Sequence, residues 1–419
     1  MRKGPHRRVP EREYADDVMS KASVSAPPQV AKPAWPSWPV FPEDERQAVM
    51  DVLVSGRVNY WTGNEAREFE REYAEYLGVP HAIALHNGTL ALELALQAFG
   101  IDSGEVITTS RTFIASASAA VMRGCVPVIA DVDRDSQNVT AETIRPLINE
   151  RTRAIIPVHL AGWPCDMDSI MALAEEHGLI VIEDCAQAHG AFYKGRPVGS
   201  IGHAGAFSFC QDKIMTTGGE GGLLALKDEE VWKRAWAFKD HGKSYDAVYN
   251  REHPPGFRWL HESFGTNWRM LEVQAAIGRL QLRKLPEWIR QRQAHAAVLN
   301  RRLAEFPSIR LTLPPQDVQH AYYKYYVFVE QPALKGGWDR DRIMTEIAAQ
   351  GVPAFSGSCS EIYLEKAFTD AGYGPQERLP VAQELGETSL MFLVHPTLSE
   401  ADMEAMADVI CSVVKEATR

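Results

Sequence analysis

The sequence predicts an α/β fold in which a mainly parallel sheet is covered by helices and is followed by a smaller α+β domain. Short apolar runs alternate with helical periodicity from residue 81 onward, a pattern typical of strand–helix–strand units around a parallel sheet. A long helical stretch at residues 280–303 then leads into a segment with fewer strands. We therefore predict a large domain over residues 35–285 and a small domain over residues 286–419.

The individual elements follow from the same periodicities. Short apolar or alternating runs predict strands at residues 81–85, 106–109, 126–132, 154–160, 179–185, 204–209 and 322–329. Amphipathic spacing predicts helices at residues 65–77, 90–99, 113–122, 167–177, 280–303, 340–350 and 400–418. Gly100 and Gly124 end two of these helices, and Pro286 is expected to break the helix at residues 280–303.

The first 34 residues differ in composition from the rest of the chain. They are rich in proline, alanine, serine and charge, and Pro27-Pro28 and Pro33 punctuate them. Such composition disfavours regular structure. We predict a flexible N-terminal arm, without a domain of its own, over residues 1–34.

Charge and cysteine content narrow the class of protein. The 419 residues carry a formal net charge of −11, which argues against a general nucleic-acid binder because such proteins need a basic surface. The six cysteines show no paired spacing, so neither a zinc site nor a disulfide framework is expected. No apolar leader or membrane-spanning run is found. We expect a soluble cytoplasmic protein that acts on small molecules, with no nucleic-acid or membrane partner.

Lys213 is the most informative residue of the sequence. It lies in a hydroxyl- and glycine-rich turn between two apolar segments, directly after the strand predicted at residues 204–209. A lysine amine sheltered from water can form an imine with a carbonyl compound. Most lysines are solvated surface charges, so the turn alone leaves both interpretations open.

A carboxylate ends the buried strand at residues 179–185. Asp184 follows Glu183 there, and a buried carboxylate is costly unless it meets a cation. The protonated pyridine nitrogen of pyridoxal phosphate would satisfy Asp184 and let the ring accept electrons. A helix cap or a salt bridge with a basic side chain would satisfy it equally well.

Two further features could hold the rest of such a cofactor. Asn87-Gly88-Thr89 joins a strand to a helix, and free N–H groups at a helix start suit a phosphate, with Ser208 and Asn267 as possible additions. Phe113 follows another strand and could stack on a flat ring. Taken singly, Asn-Gly is also a common turn and such a phenylalanine is usually core. No histidine pair has metal-binding spacing, and we expect no metal site.

The order of these residues resembles the DegT-type (DegT/DnrJ/StrS) sugar aminotransferases, a branch of the fold-type I pyridoxal phosphate (PLP) enzymes. The resemblance covers residue 35 to the C-terminus. Four strings carry it: NGTLAL at 87–92, EDCAQAHG at 183–190, SFCQDKIMTT at 208–217 and GTNWRM at 265–270.

The resemblance implies a role for each site residue. Lys213 would form the Schiff base, Asp184 would pair with the pyridine nitrogen, and Gln187 would hydrogen-bond the ring's phenolic oxygen. Phe113 would stack on the ring. Three residues would hold the phosphate, namely Gly88, Thr89 and Ser208. Asn267 would reach the phosphate of a neighbouring subunit, which implies a homodimer with a shared active site.

The resemblance also implies a reaction. An amino group would move from glutamate or glutamine to a keto sugar, most often nucleotide-linked, in amino-sugar biosynthesis. Relatives that dehydrate a sugar replace the lysine by histidine, and here Lys213 is present. Three alternatives stay open at this point: a keto-cyclitol acceptor, a non-catalytic regulatory relative, and another fold-type I activity, such as an aldolase or a cysteine desulfurase using Cys359. Asn87 and Cys210 depart from the commonest family residues, which affects only fine phosphate and ring contacts, and Gly219 enlarges the turn before Glu220.

Overall fold

The computed structural model describes residues 35–419, so the arm predicted at residues 1–34 lies outside the described part of the chain. Residues 38–419 form one compact unit. The strands are β1 His81–Leu85, β2 Glu105–Thr109, β3 Val126–Ala130, β4 Thr152–Ile156, β5 Ile180–Asp184, β6 Phe192–Tyr193, β7 Arg196–Pro197, β8 Ala204–Ser208, β9 Gly222–Leu226, β10 Ile309–Arg310, β11 Val318–Gln319, β12 Tyr325–Val329 and β13 Ser389–Phe392. The α-helices are α1 Glu43–Ser55, α2 Glu65–Leu77, α3 Gly88–Ala98, α4 Ala115–Met122, α5 Ala141–Ile144, α6 Met167–His177, α7 Glu229–Lys239, α8 Tyr245–Tyr249, α9 Glu272–Leu303, α10 Arg340–Ala349, α11 Lys366–Ala371, α12 Pro380–Thr388 and α13 Glu400–Ala417.

A seven-stranded sheet forms the centre of the fold, in the order β1-β9-β8-β5-β4-β2-β3. Every neighbouring pair from β8 to β3 is parallel, whereas β9 runs antiparallel to β1 and β8. Parallel sheets need cover on both faces because their strands are apolar on both sides. Helices supply that cover, and β2, β8 and β9 are buried along their whole length. The predicted mainly parallel α/β sheet is confirmed.

Helix α9 is longer than predicted and is not broken at Pro286. It runs without interruption over 32 residues, and it packs against α1, α2 and α13. A proline in a helix removes one hydrogen bond, yet tertiary packing can hold the helix across it. Leu285 and Ile289, on either side of Pro286, are both buried.

The chain after α9 forms a second, three-stranded sheet in the order β10-β12-β13, flanked by α10 and α12, and α13 packs against α9 and α10. Its strands are antiparallel, and β12 is fully buried. The boundary predicted at residue 285 falls inside α9, so the division into two domains stays a prediction. Across residues 35–419 we find no helix with the length and apolarity that a bilayer crossing requires.

Candidate active site

A cavity of about 950 Å³ opens at the carboxyl ends of β2, β5 and β8. This edge of a parallel sheet is where ligands bind in open α/β folds. Seven of the eight predicted site residues line the cavity: Gly88, Thr89, Phe113, Asp184, Gln187, Ser208 and Lys213. The eighth, Asn267, does not line it. The fold therefore brings together side chains that lie up to 125 positions apart in the sequence, from Gly88 to Lys213.

Lys213 lies in the connection between β8 and β9, residues 209–221, which we call the lysine loop. Its side chain is 17% exposed, and Nζ lies 3.6 Å from Asp212 Oδ1. The Lys213 carbonyl accepts a hydrogen bond of 2.8 Å from Trp38 Nε1. Nζ also lies 5.1 Å from the centre of the Tyr323 ring, and the hydroxyl of Tyr323 donates to Asp212. The amine is thus sheltered and faces the cavity.

The two acids at the end of β5 have different surroundings. Burial would raise the pKa of Glu183, but a 2.9 Å hydrogen bond from His159 and backbone N–H groups outweigh burial and lower it. Burial raises the pKa of Asp184, although Ser116 Oγ donates to it at 2.7 Å. Glu183 has its partners inside the fold, while Asp184 faces the cavity. A cation in the cavity would hold Asp184 ionised.

Gln187 presents one end of its amide to the cavity. Its side-chain oxygen accepts a hydrogen bond of 2.8 Å from the backbone N–H of Ala161. Ala161 has a positive φ of 56°, an uncommon conformation for a residue with a side chain. Because the amide oxygen is held on the protein side, its NH₂ group remains to donate to an oxygen in the cavity.

A phosphate-sized cradle lies at the start of α3. Asn87 caps this helix by accepting from the N–H of Leu90 at 2.9 Å, and the first N–H groups of any helix have no helical acceptor. A Cβ added to Gly88 would lie 2.6 Å from Ser208 Cβ, so only glycine allows the two segments to approach. Gly222 is equally constrained, because its Cβ would lie 2.1 Å from the Asn87 carbonyl oxygen. An anion would meet free N–H groups here.

Phe113 lies at the cavity rim with 68% of its surface exposed, so the alternative of a core phenylalanine is wrong. Helix α4 begins at Ala115, two residues later than the start predicted at residue 113. Such exposure of a large apolar ring needs an explanation, and a flat ligand stacked on it would provide one.

Asn267 lies on the surface, outside the cavity of its own chain. The segment before it carries three exposed aromatic side chains, Phe257, Trp259 and Phe264, which are 77%, 80% and 99% exposed. Tyr323 lines the cavity, whereas the basic side chains His241, Arg258 and Arg269 do not.

Several residues at the cavity carry no sequence signal of a role in a site. Ser116 follows Phe113 by three positions within an alanine-rich helix, and nothing in its pattern points to Asp184. For Asp212, the only indication in the sequence of a place in the site was its position next to Lys213. Lys324 lines the cavity from the position directly before β12, where the sequence predicts only a strand at residues 322–329.

Cys359 also lines the cavity, but its surroundings do not favour a reactive thiolate. Burial raises the pKa of its thiol. Its backbone carbonyl accepts a hydrogen bond of 3.1 Å from the N–H of Thr112, which fixes the segment against the large sheet. A nucleophilic cysteine needs a lowered pKa and, in a desulfurase, freedom to move. Neither condition is met.

A sheltered lysine facing a carboxylate that needs a cation, beside an anion cradle at the edge of a parallel sheet, is the arrangement of a PLP-dependent enzyme of fold type I. The chain belongs to the DegT/DnrJ/EryC1/StrS aminotransferase family, whose model matches residues 40–411. It is a PLP-dependent aminotransferase.

Three similar proteins support this assignment. The X-ray structure of the aminotransferase from Psychrobacter cryohalolentis is similar to this chain, with a TM-score of 0.90. The two sequences are 55% identical, and the match covers 91% of this chain and 99% of the other. The GDP-perosamine synthase of Caulobacter vibrioides is 34% identical over 88% of this chain and 95% of its own length. The dTDP-3-amino-3,4,6-trideoxy-alpha-D-glucose transaminase of Streptomyces venezuelae is 34% identical over 87% and 90%.

The residues present fit PLP. The raised pKa of Asp184 marks a buried carboxylate without a cation of its own, which a protonated ring nitrogen supplies. The glycine-bounded cradle at α3 accepts a phosphate. A metal is a weaker fit: His159, Glu183 and Cys185 lie close together, but hydrogen bonds from His159 and from backbone N–H groups already occupy the Glu183 oxygens. We assign no metal to this cluster.

Proposed function

We propose that this enzyme moves an amino group from glutamate or glutamine to a nucleotide-linked keto sugar, in amino-sugar biosynthesis. The observation that carries the proposal is that Lys213 and Asp184 face one cavity of about 950 Å³, which has room for a cofactor and a sugar together. The names of two relatives, one with GDP and one with dTDP, support a nucleotide-linked acceptor. Lys213 and Asp184 line the same cavity, which favours catalysis over the regulatory role.

Each site residue receives a role under this proposal. PLP, when bound, supplies a carbonyl for the amino group and a ring that withdraws electrons from the reacting carbon. Lys213 would hold that carbonyl covalently and, once the donor displaces it, its Nζ would take the proton from the donor's Cα. In the second half of the reaction Lys213 would return a proton to the carbon that becomes aminated.

The remaining residues would orient the cofactor and tune it. Asp184, supported by Ser116, would keep the ring nitrogen protonated. The NH₂ group of Gln187 would donate to the phenolic oxygen, and the exposed ring of Phe113 would cover one face of the cofactor. Gly88, Thr89 and Ser208 would bind the phosphate through the start of α3.

We further propose a cytoplasmic homodimer whose two active sites are shared between subunits. Asn267 lies outside the cavity of its own chain and is exposed, as a residue that reaches into a partner's site has to be. The exposed aromatic side chains Phe257, Trp259 and Phe264 precede it and would be covered by such an interface. The division into a large domain at residues 35–285 and a small domain at 286–419 belongs to the same proposal.

Half-reactions test the chemistry directly. PLP-loaded enzyme is mixed with L-glutamate or L-glutamine, and the visible absorbance of the bound cofactor is followed. The converted enzyme is then offered a panel of GDP-, dTDP- and UDP-linked keto sugars, and release of the amino sugar is measured. Lys213→Ala and Lys213→Arg should abolish both halves, because neither side chain can form an imine. Transfer by Lys213→Ala, or transfer to keto-cyclitols alone, would refute the proposal.

Mixing two inactive variants tests the shared site. Lys213→Ala and Asn267→Asp are each expected to lose activity, and subunit exchange between them should restore about a quarter of wild-type activity. Half of the random dimers are mixed, and each mixed dimer contains one intact site. If each subunit carries a complete site, mixing restores nothing.

A further inference from the structure

Lys324 is the one cation among the cavity-lining residues described here that the proposed chemistry leaves unused. Six of these residues have acidic or basic side chains: Asp184, Asp212, Lys213, Glu220, Lys324 and Glu365. Of the two lysines, Lys213 is committed to the cofactor. No arginine among residues 35–419 lines the cavity.

Lys324 has no acidic partner of its own within residues 35–419. It forms no ion pair or hydrogen bond there, and its Nζ lies 4.7 Å from the centre of the Tyr323 ring. Asp212 is the acid whose negative charge acts on Lys324. It already accepts a hydrogen bond from the Tyr323 hydroxyl, and its Oδ1 lies 3.6 Å from Lys213 Nζ. The ammonium group therefore remains available to the cavity.

Two cations, Arg292 and Lys213, and one acid, Asp212, act on the Lys324 ammonium group. Arg292 is buried nearby, donates only to the carbonyls of Tyr322 and Tyr323, and keeps Nε and Nη2 without a hydrogen-bond partner among the described residues. Burial, together with Arg292 and Lys213, lowers the pKa of Lys324 to about 8, against the opposing charge of Asp212. An anion bound at Lys324 would be stabilised by these cations, since opposite charges attract strongly where water is scarce.

We propose that Lys324 is the side chain that binds a carboxylate of the amino donor. This inference rests on the proposed function, because an amino-acid donor must present its carboxylate each time it enters the cavity. The Lys324 ammonium would hold the donor in place while Lys213 moves the proton. Glutamate has two carboxylates and glutamine one, so the same chemistry could come from the α-carboxylate or from the side chain of glutamate.

The test compares Lys324→Gln, Lys324→Arg and the matched control Lys366→Gln, all as PLP-loaded enzyme. Lys366 is a surface lysine on α11, with 83% of its side chain exposed. Calorimetry measures binding of glutarate, an unreactive dicarboxylate, and of GDP and dTDP. Half-reaction kinetics with L-glutamate and L-glutamine give the KM and kcat of each variant.

We expect Lys324→Gln to weaken glutarate binding and to raise the donor KM by about 10- to 100-fold, with cofactor content unchanged. Lys324→Arg should recover part of this loss, and Lys366→Gln should behave as wild type. Equal effects on both donors identify the α-carboxylate, and an effect on glutamate alone identifies its side chain.

Three results would overturn the inference: unchanged donor KM and glutarate affinity, weaker binding of GDP or dTDP only, or loss of PLP from Lys324→Gln. These results can be told apart from a failure of the proposed function. If the proposed function were wrong, the wild-type enzyme itself would convert neither glutamate nor glutamine.

Discussion

The hydrogen bond from Ser116 to Asp184 offers a sharp test of how the cofactor is tuned. Both side chains are buried, and the donor–acceptor distance is 2.7 Å. A hydrogen bond to a charged group contributes about 1.5–3 kcal/mol, which corresponds to about 10- to 100-fold in a rate or equilibrium. Burial already raises the pKa of Asp184, so removal of Ser116 Oγ further favours the neutral acid.

We expect Ser116→Ala to slow the donor half-reaction by about 10- to 100-fold, with little change in donor KM. Ser116 lies in α4, where alanine is a better helix former, so the helix itself should not suffer. Ser118→Ala, in the same helix but outside the cavity, is the matched control.

Stopped-flow absorbance with L-glutamate measures the rate, and thermal unfolding confirms that the variants are folded. A Ser116→Ala enzyme with wild-type PLP content and a rate within about twofold of wild type would refute the reasoning. Such a result would mean that Asp184 stays ionised without its neighbour.

Three other outcomes are expected. Gly88→Ala should weaken PLP affinity at least about tenfold in a fluorescence titration, because its Cβ would lie 2.6 Å from Ser208 Cβ. Glu183→Gln should lower the free energy of unfolding in urea by about 1–3 kcal/mol, because it leaves buried backbone N–H donors without an acceptor. Burial lowers the pKa of His189 to about 4, so the folded state binds its proton later than the unfolded state as pH falls. Between pH 7 and pH 5 this residue should cost about 2 kcal/mol of stability, a share that His189→Gln removes.

The sheet was largely predictable from the sequence, since β1, α2 and α6 have the predicted bounds and most of the other predicted elements differ by a few residues. The antiparallel strand β9 was not predicted. Its apolar run, Gly222–Leu226, is too short to give a direction, and the glycines before it read only as a turn. The hairpin depends on backbone pairing with β8, which local patterns do not contain.

The same limit applies to the active site. Lys213 and Asp184 could be found because each follows a strand and has a chemically distinctive side chain. Ser116 and Lys324 could not, because their roles depend on neighbours 68 and more than 100 positions away. The different environments of Glu183 and Asp184 could not be predicted either. They are determined by His159 and by backbone N–H groups after residue 198, which hydrogen-bond Glu183.

The lysine loop joins two paired antiparallel strands, β8 and β9, and this restricts the movement of the Lys213 amine. Both ends of the loop are tied to each other, through the N–H of Phe209 to the Gly221 carbonyl at 2.8 Å and the N–H of Thr217 to the Phe209 carbonyl. The Lys213 carbonyl is held by Trp38 as well. With the backbone anchored on three sides, Nζ can change position only by rotation about the side-chain bonds. The reach of the Lys213 amine into the cavity is therefore set by the length of one lysine side chain.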